Sequence, residues 1–492
     1  MGPSSPSWLY GNIRQVWGAE NSVAHERWVK QYGNTLQYKF FLGTFQKPEE
    51  TRYLLRRIVG DGVIVAEGSK HRQQRKVMNP AFGTVQIREL TEIFVEKALE
   101  LRDVWAADIK KQSQGKKIQG RLDVMTGLSR MTLDVIGLAG FNYKFNSLSG
   151  ERNELSEAFR NLTNSRPGIS ARVILRGMLG KLGFLVPLAS DEAEYKARTT
   201  MDRVGAQLMN QSKAALQKPD GEAEKRAARR DLLSLLLKAN MSPDVPEHQR
   251  MTDQEVLAQV PTFLAAGHET TSTATTWALY ALSLFPEIQT RLRDELFTIQ
   301  SDNPTMDELN SLQYLDRVIR ETLRLHAPVP GTTRVAVKDD IIPLDKPIVD
   351  RKGRVRDSVS IRKGQTVFIP ILTVNRSEEL WGKDALEFKP ERWETPQEAT
   401  SGVPGIWGNM LTFFGGPRAC IGYRFSLADL LFVNYRMKAL LFTLVRAFEF
   451  ELAVPASEIG KKNTAVQRPY LVSDPEGGNQ LPLMVRPFAR VF

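Results

Sequence analysis

The chain contains a single cysteine, Cys420, among 492 residues, and only five histidines. One cysteine excludes an intramolecular disulfide framework, which indicates a chain made for a reducing compartment. No histidine lies near Cys420 in the sequence, so a cysteine nucleophile activated by a neighbouring histidine base is disfavoured. The chain also lacks a GxGxxG fingerprint, so it carries no recognisable nicotinamide or flavin site of that kind.

Long hydrophobic runs are missing as well. The longest apolar stretch, Val173 to Ala189, is interrupted by Arg176 and Lys181, whereas a membrane helix needs about 20 predominantly apolar residues. No signal peptide opens the chain, and Pro6 stands where a myristoylation motif requires Ser or Thr. The sequence of residues 1–492 therefore predicts no membrane-spanning helix.

Repeats and low-complexity tracts are absent, and the only linker-like stretch runs from Lys218 to Arg230. A hydrophobic content of 42% can fill a sizeable core, so one large domain is the simplest prediction. The 67 Lys and Arg exceed the 56 Asp and Glu by 11, which suits an anionic partner such as a membrane surface or an acidic protein. Because the basic residues are dispersed and no nucleic-acid motif is present, no nucleic-acid partner is predicted.

The residues around Cys420 indicate what the thiol does. An inert buried thiol is the default interpretation. However, the segment FFGGPRACIG places Gly415, Gly416 and Gly422 close to Cys420, and glycine carries the largest entropic cost on folding. Glycines are useful where a turn brings backbone N–H groups toward a sulfur, and Arg418 adds a cation two residues away. This pattern favours a metal-bound thiolate.

Phe413, Gly416, Arg418, Cys420 and Gly422 reproduce the pattern FxxGxRxCxG. In this pattern the chain resembles the cytochrome P450 family. The resemblance implies a haem b cofactor that these residues contact, with Cys420 as the proximal ligand of its iron, pushing electron density toward the metal.

A second motif, AGHETT, covers residues 266–271 of a helical pattern that begins at the capping box Thr252-x-x-Glu255 and extends to about Phe285. A helix has 3.6 residues per turn, so residues three or four apart lie on the same face. One face therefore carries Phe263 and three small or polar residues: Ala266, Thr270 and Ala274. Pro261 and Gly267 predict a local distortion near Thr270. A kinked packing helix is the alternative interpretation.

The P450 resemblance gives this helix a role in oxygen chemistry. It implies that Ala266 helps to make room for dioxygen. It also implies that Thr270 and Glu269 are catalytic: Thr270 donates a hydrogen bond on the oxygen side, and Glu269 links it to solvent as a proton relay. We assign no role to His268.

Glu321 and Arg324 stand three residues apart on a helical pattern, and Pro390-Glu391-Arg392-Trp393 follows later. Alone, such a pair is usually a surface salt bridge of a few tenths of a kcal/mol. Together the two segments resemble the family's ExxR and PERF-like motifs, which implies that Glu321, Arg324 and Arg392 form a structural triad behind the cysteine loop. Trp393 replaces the commoner phenylalanine.

The resemblance also implies residues for the haem propionates. Arg75 lies four residues after His71 and matches the family's WxxxR pattern, with His71 in place of tryptophan. Arg334 and Arg418 match further propionate positions, where charge-assisted hydrogen bonds are roughly twice as strong as neutral ones. A solvated surface arginine is the alternative at each position.

Two surfaces complete the expected interactions. An electron donor would dock on the cysteine side, flanked by six basic residues: Lys70, Arg72, Lys76, Arg424, Arg436 and Lys438. An ordinary solvated charge run explains them equally well. The region Arg172 to Leu188 resembles the family's membrane-facing access region, although an amphipathic stretch of this kind also packs against neighbouring protein.

The fold expected from the resemblance is mainly α with a small β region, in a single-domain cytochrome P450 fold. Residues 1–20 would form a proline-containing hinge and lead-in, and residues 21–492 the catalytic domain. Strand-like patches at Thr35 to Leu42 and Thr366 to Ile371 would belong to the β region. Since Pro3 to Pro6 resemble the hinge that follows a microsomal membrane anchor, we expect the natural protein to carry an anchor ahead of Met1.

The function implied is haem-thiolate monooxygenation by a monomer at the cytoplasmic face of the endoplasmic reticulum, with electrons from NADPH through NADPH-cytochrome P450 reductase. AGHETTS, WGKDALEFKPERW and the DRKG insertion resemble the fungal microsomal branch. Four apolar residues match pocket-lining positions and favour a terpenoid, steroid or fatty substrate, without choosing among them: Ile64, Phe263, Ala266 and Val329. A haem-thiolate isomerase or dehydratase and a non-catalytic haem sensor or carrier are the rival functions.

Overall fold

The structure, a computed structural model, describes ten segments of the chain: 23–32, 47–113, 118–158, 186–187, 191–217, 231–350, 352–395, 397–423, 435–462 and 465–488. Several predictions concern residues outside them, namely the lead-in 1–20, the patch Thr35 to Leu42, the stretch Lys218 to Arg230 and almost all of Arg172 to Leu188. Among the described residues, no helix has the length and apolar character needed to cross a membrane.

Helices form most of the described protein, as predicted. In chain order they are α1 (Val23–Tyr32), α2 (Glu49–Val59), α3 (Gly68–Met78), α4 (Thr84–Ser113), α5 (Val124–Phe141), α6 (Asp191–Gln217), α7 (Leu232–Met241), α8 (Asp253–Leu257), α9 (Gln259–Leu284), α10 (Pro286–Leu296), α11 (Met306–Ser311), α12 (Gln313–Leu325), α13 (Ile371–Asn375), α14 (Glu378–Trp381) and α15 (Tyr435–Ala447).

The smaller β region consists of short antiparallel sheets. The strands are β1 (Gly120–Asp123), β2 (Thr332–Val335), β3 (Asp340–Val349), β4 (Val355–Ile361), β5 (Thr366–Ile369), β6 (Phe448–Leu452), β7 (Ile459–Lys462), β8 (Arg468–Leu471), β9 (Asp474–Asn479) and β10 (Pro482–Pro487). Their orders in the described sheets are β1-β10-β6, β2-β5, β3-β4 and β7-β8-β9. The predicted strand at Thr366 is therefore present, and it ends before Ile371, which begins α13.

The core is centred on α9. Trp277, Ala278 and Leu279 are fully buried there, and α9 packs against α5 on one side and α12 on another. One large hydrophobic cluster extends along the chain from Val63 to Val485. The division into residues 1–20 and 21–492 stays a prediction, because its first part lies outside the described residues.

The predicted long helix begins as expected but is interrupted. Thr252 Oγ1 accepts a hydrogen bond from the backbone N–H of Glu255 (3.3 Å), and Glu255 Oε2 accepts one from the N–H of Thr252 (2.8 Å), so the capping box is present. The chain then turns at Ala258 and restarts as α9. Pro261 lies in the first turn of α9, where its missing N–H has no helical partner. The interruption is thus at Ala258, and α9 is unbroken through Thr270, where we had predicted the distortion.

Candidate active site

The loop that carries Cys420 is shaped by close backbone contacts. A Cβ atom on Gly415 would lie 1.7 Å from the carbonyl oxygen of Pro404, so only glycine fits there. Gly416 has φ +65°, a left-handed conformation that glycine adopts without strain. The loop then closes through a hydrogen bond of 2.9 Å from the N–H of Cys420 to the carbonyl of Phe413. The glycines predicted to shape the loop do so at these two positions.

The Cys420 thiol faces a cavity of about 330 Å³. Cys420 as a residue is exposed, while protein groups surround its sulfur closely enough to desolvate it. Burial raises the pKa of the thiol, while the backbone N–H of Gly422 and the charge of Arg75 act in the opposite direction. In the absence of a metal the thiol is therefore protonated at neutral pH, and it would become a thiolate on binding a metal ion.

Helix α9 contributes to the wall of the same cavity. Its predicted face, Phe263, Ala266, Thr270 and Ala274, lines the cavity, together with Gly267 and Thr271. Thr270 Oγ1 donates a hydrogen bond of 2.6 Å to the carbonyl of Ala266, one helical turn earlier. Mostly small side chains of α9 thus line the cavity that Cys420 also lines, and the hydroxyl residues Thr270 and Thr271 are among them.

The side chains of Glu269 and His268 do not line the cavity. The Glu269 carboxylate accepts a hydrogen bond from the guanidinium of Arg468, and neither residue lines the cavity. His268 Nε2 lies 2.8 Å from Ser129 Oγ on α5, and burial lowers its pKa to about 4, so it is neutral at pH 7. Sequence reasoning did not identify Arg468, because nothing in the segment around it resembles a motif.

Basic residues gather at one end of the cavity. All four predicted propionate residues line it, namely His71, Arg75, Arg334 and Arg418, together with Lys47, which sequence reasoning missed. No Asp or Glu is among the described residues that line the cavity. This end therefore carries a concentrated positive charge.

Backbone carbonyls orient these cations. Arg75 Nη1 donates to the carbonyl of Ala419 (3.0 Å), and Arg418 Nη1 donates to that of Ala66 (2.9 Å) while its other nitrogen pairs with Glu67. Arg334 Nη1 bonds to Thr332 Oγ1 (2.7 Å) and to the carbonyl of Thr333 (2.7 Å).

Burial and the neighbouring positive charges lower the pKa values of Lys47 and His71. Burial, reinforced by Arg418, Arg334 and Arg52, lowers the pKa of Lys47 to about 7. Burial and the charges of Arg75, Lys47 and Arg72 lower the pKa of His71 to about 4, so the His71 ring is neutral at pH 7. It can donate one N–H but brings no charge.

This donor set fits a haem. The lining includes a thiol that can ligate a metal, the small residues Ala266 and Gly267, and several cations with no carboxylate among the described lining residues. Two propionate carboxylates would neutralise that charge by the charge-assisted hydrogen bonds that arginine forms best. The four residues predicted to line a substrate pocket are here as well: Ile64, Phe263, Ala266 and Val329.

Behind the cysteine loop lies a buried ion-pair network. Glu321 and Arg324 are fully buried, with contacts of 2.7 and 2.9 Å between carboxylate and guanidinium. Arg392, which is 7% exposed, approaches Glu321 Oε1 at 3.4 Å and bonds to Asp384 at 2.7 Å. The sequence-predicted triad is brought together, and Asp384 is a further member.

The network reaches the cysteine loop through Asn375. Arg324 Nη1 donates to the Asn375 carbonyl (2.9 Å), and the Asn375 side chain bonds to the N–H of Leu411 (2.8 Å) and to Thr412 Oγ1 (2.8 Å). Leu411 and Thr412 immediately precede Phe413. A chain of hydrogen bonds thus fixes the start of the cysteine loop to α12 and α13.

The proposed docking surface is only partly present among the described residues. Lys70, Arg72 and Lys76 are exposed on α3, where Lys70 pairs with Glu255 and Lys76 bonds to Gln249 Oε1 (2.9 Å). The inclusion of Lys438 was wrong: its side chain is 2% exposed and its Nζ lies 3.6 Å from Asp316 Oδ1. Leu440 and Leu441 pack into the core on the same helix, which carries Lys438 inward. Arg424 and the side chain of Arg436 lie outside the description.

Nearly the whole chain is similar to known proteins of one family. Residues 37–473 match the family described as Cytochrome P450. Cytochrome P450 monooxygenase 205 of Postia placenta is 52% identical over 100% of this chain and 93% of its own length. Cytochrome P450 monooxygenase 128 of the same fungus is 49% identical over 100% of this chain and 92% of its own. Cytochrome P450 monooxygenase claP of Ampulloclitocybe clavipes is 33% identical over 99% and 92%.

Proposed function

This chain belongs to the cytochrome P450 family of monooxygenases, and we propose that it inserts one oxygen atom into a C–H or C=C bond of a lipophilic substrate with electrons from NADPH. One observation carries the proposal: the single cysteine, Cys420, and Thr270 of helix α9 line the same cavity, which is rich in cations. For a hydroxylation, substrate, dioxygen, NADPH and one proton give the alcohol, water and NADP⁺.

Cys420 would ligate the haem iron, and Arg75, Arg334, Arg418 and Lys47 would hold the propionates. The bound haem supplies the redox chemistry by which dioxygen is activated, with the thiolate setting the electronics of its iron. The protein supplies binding, orientation and protons.

Proton delivery is the task of α9. The Thr270 hydroxyl lines the cavity, where it can hold a hydrogen bond toward dioxygen while giving up its own bond to Ala266. Glu269 is its sequence neighbour and can bring protons from solvent. Retention of both residues favours oxygen activation over an isomerase or dehydratase, which would act on a pre-oxidised substrate and need no proton relay.

The apolar part of the cavity favours a hydrocarbon-rich substrate. Phe82 and Phe263 meet edge to face at 5.6 Å between ring centroids, and both line the cavity with Ile64, Ile136 and Leu232. Since no described carboxylate lines the cavity, nothing there would hold a cationic substrate by charge. A terpenoid, steroid or fatty compound suits this lining, which binds mainly by burial of apolar surface.

The electron source in this proposal is NADPH-cytochrome P450 reductase, which would dock beside the exposed cations of α3. The net charge of +11 suits both an acidic flavin domain and an anionic membrane surface. We place the enzyme, as a monomer, at the cytoplasmic face of the endoplasmic reticulum, with Arg172 to Leu188 toward the membrane. Cell fractionation and sizing of the full-length protein would test this part.

Spectroscopy tests the ligand assignment. The reduced protein with carbon monoxide is expected to show the absorption specific to thiolate-ligated haem, and Cys420→Ala to lose it; a histidine-type spectrum in the wild type would contradict the assignment. A screen of terpenoids, steroids and fatty acids by haem spectral shift, followed by mass analysis of products formed with NADPH and reductase, then tests the reaction. Binding without NADPH turnover for any compound would instead favour the haem sensor or carrier.

A further inference from the structure

Three consecutive residues of α9 point to three different neighbours. His268 contacts Ser129 on α5 at 2.8 Å, Glu269 pairs with Arg468 at the start of β8, and Thr270 lines the cavity. Successive side chains of a helix differ by about 100° in direction, which produces this divergence. The acid assigned to proton delivery is therefore held beside the cavity rather than in it.

Arg468 is itself fixed in place. The residue before it, Gln467, donates its N–H to the carbonyl of Pro328 (2.8 Å), and the Gln467 carbonyl accepts a hydrogen bond from Trp277 Nε1 (2.8 Å). Trp277 lies two turns after Glu269 on the same helix, and Pro328 precedes the cavity residue Val329. The hydrogen bonds of Gln467 thus fix the backbone next to Arg468 both to α9 and to the wall of the cavity.

The ion pair is well shielded from water. The side chains of Arg468 and Glu269 are 11% and 14% exposed. Separating a shielded pair leaves two poorly solvated charges, so the paired arrangement dominates and the separated one is rare. Because the carboxylate is held on Arg468 and does not line the cavity, it has to reorient before it can pass a proton to Thr270.

We propose that Arg468 is a positioning residue for proton delivery, holding Glu269 outside the cavity so that each proton enters only when Glu269 leaves Arg468. In that step the Glu269 carboxylate takes a proton from H3O⁺ of the solvent, leaving water, and passes it to Thr270 Oγ. The Thr270 hydroxyl at the same time gives its own proton to the dioxygen that electrons from NADPH have reduced. Neither residue is consumed, and the electrons come from NADPH. This inference rests on the proposed function.

The test is the solvent isotope effect on dioxygen consumption by the haem-loaded enzyme with reductase and NADPH, without added substrate. We expect an effect above 1 in the wild type. Arg468→Gln, which removes the cation but keeps an amide donor, makes separation easier and moves the effect toward 1 by roughly half. Arg468→Lys restores the cation and the wild-type value. In a Glu269→Gln background, Arg468→Gln changes nothing, because Arg468 acts through Glu269.

Two results would overturn the inference. One is an isotope effect that Arg468→Gln changes equally with and without Glu269, since that indicates a general structural role. The other is an isotope effect of 1 in the wild type, or one that Arg468→Gln leaves unchanged, since opening of the pair then limits nothing. An enzyme that consumes no dioxygen with NADPH and reductase, either alone or with the compounds that shift its haem spectrum, would instead contradict the proposed function.

Urea unfolding supplies a readout that does not depend on turnover. If the pair exists as described, the double variant Glu269→Gln/Arg468→Gln unfolds at a urea concentration no lower than the less stable single variant. Additive losses from the two single variants would overturn the pairing. The spectrum of the reduced carbon monoxide complex checks that each variant has folded around haem.

Discussion

The indole Nε1 of Trp393 donates a hydrogen bond of 3.0 Å to Glu321 Oε2, so Trp393 takes part in the buried network of Glu321, Arg324 and Arg392. The sequence suggested that tryptophan merely replaced another aromatic ring at this position. Phenylalanine has no donor, so the replacement changes how a fully buried carboxylate is satisfied.

Trp393→Phe should therefore lower the free energy of unfolding by about 1.5 to 3 kcal/mol, the range for a hydrogen bond to a charged group. Urea unfolding followed by circular dichroism measures it. Trp407→Phe is the matched control, because the Trp407 Nε1 has no hydrogen-bond partner among the described residues. Equal losses in the two variants would show that ring volume, and not the bond to Glu321, matters.

Arg324→Ala should destabilise the protein by about 3 to 5 kcal/mol, since it leaves the buried Glu321 charge without its closest cation. Arg88→Ala breaks an exposed pair with Asp307 and should change the stability by less than about 1 kcal/mol. Thermal melting of both variants compares them. A loss in Arg324→Ala as small as in Arg88→Ala would contradict the buried network.

Gly415→Ala should prevent the cysteine loop from forming, because the new methyl group would overlap the carbonyl oxygen of Pro404. We expect little or no thiolate-haem spectrum in the purified variant. Gly402→Ala, where an added Cβ meets no atom within 4 Å, should retain the spectrum. A normal spectrum in Gly415→Ala would show that the loop can move away from Pro404.

Thr270→Ala should divert electrons from product to hydrogen peroxide, because the hydroxyl that faces the cavity is lost. Loss of a positioned proton donor is expected to reduce product formation by ~10²-fold or more. The ratio of product to NADPH consumed measures this. Thr276→Ala, on the same helix with its hydroxyl bonded to Ser272, should keep the wild-type ratio; an unchanged ratio in Thr270→Ala would exclude its proton role.

Asp231 provides a pH-dependent prediction. It caps α7 by accepting a hydrogen bond of 2.9 Å from the N–H of Ser234, and burial raises its pKa to about 6. Because the folded pKa is above the unfolded one, this group stabilises the fold fully below pH 3.8, and that contribution is lost as the pH rises through 6.

Asp231→Asn keeps a good helix cap and removes the charge. Its stability relative to the wild type should therefore rise from about 1 kcal/mol at pH 4.5 to about 3 kcal/mol at pH 7.5. Thermal melts at the two pH values measure the difference. A constant difference would mean that Asp231 titrates normally in the folded protein.

The sequence predicted those parts of the site that fixed local motifs encode. These parts are Cys420 with its loop, the α9 face around Thr270, and the Glu321–Arg324 pair. Within each of them the residues lie a few positions apart along the chain, so their spacing shows their arrangement. Lys47 and Arg468 escaped notice because each reaches the site from a distant segment. Lys438 was misjudged because a basic residue indicates a surface position until the packing of its helix is known.

The gathering of Lys47, Arg75, Arg334 and Arg418 in one cavity has a consequence for the life of the protein in the cell. The charges of Arg418 and Arg334 oppose protonation of Lys47, and an anionic cofactor bound beside them would offset this repulsion. A ligand that binds only the folded state raises the stability of that state as the ligand concentration rises. Newly made chains that have not yet bound the cofactor should therefore unfold more readily than loaded chains and be degraded sooner.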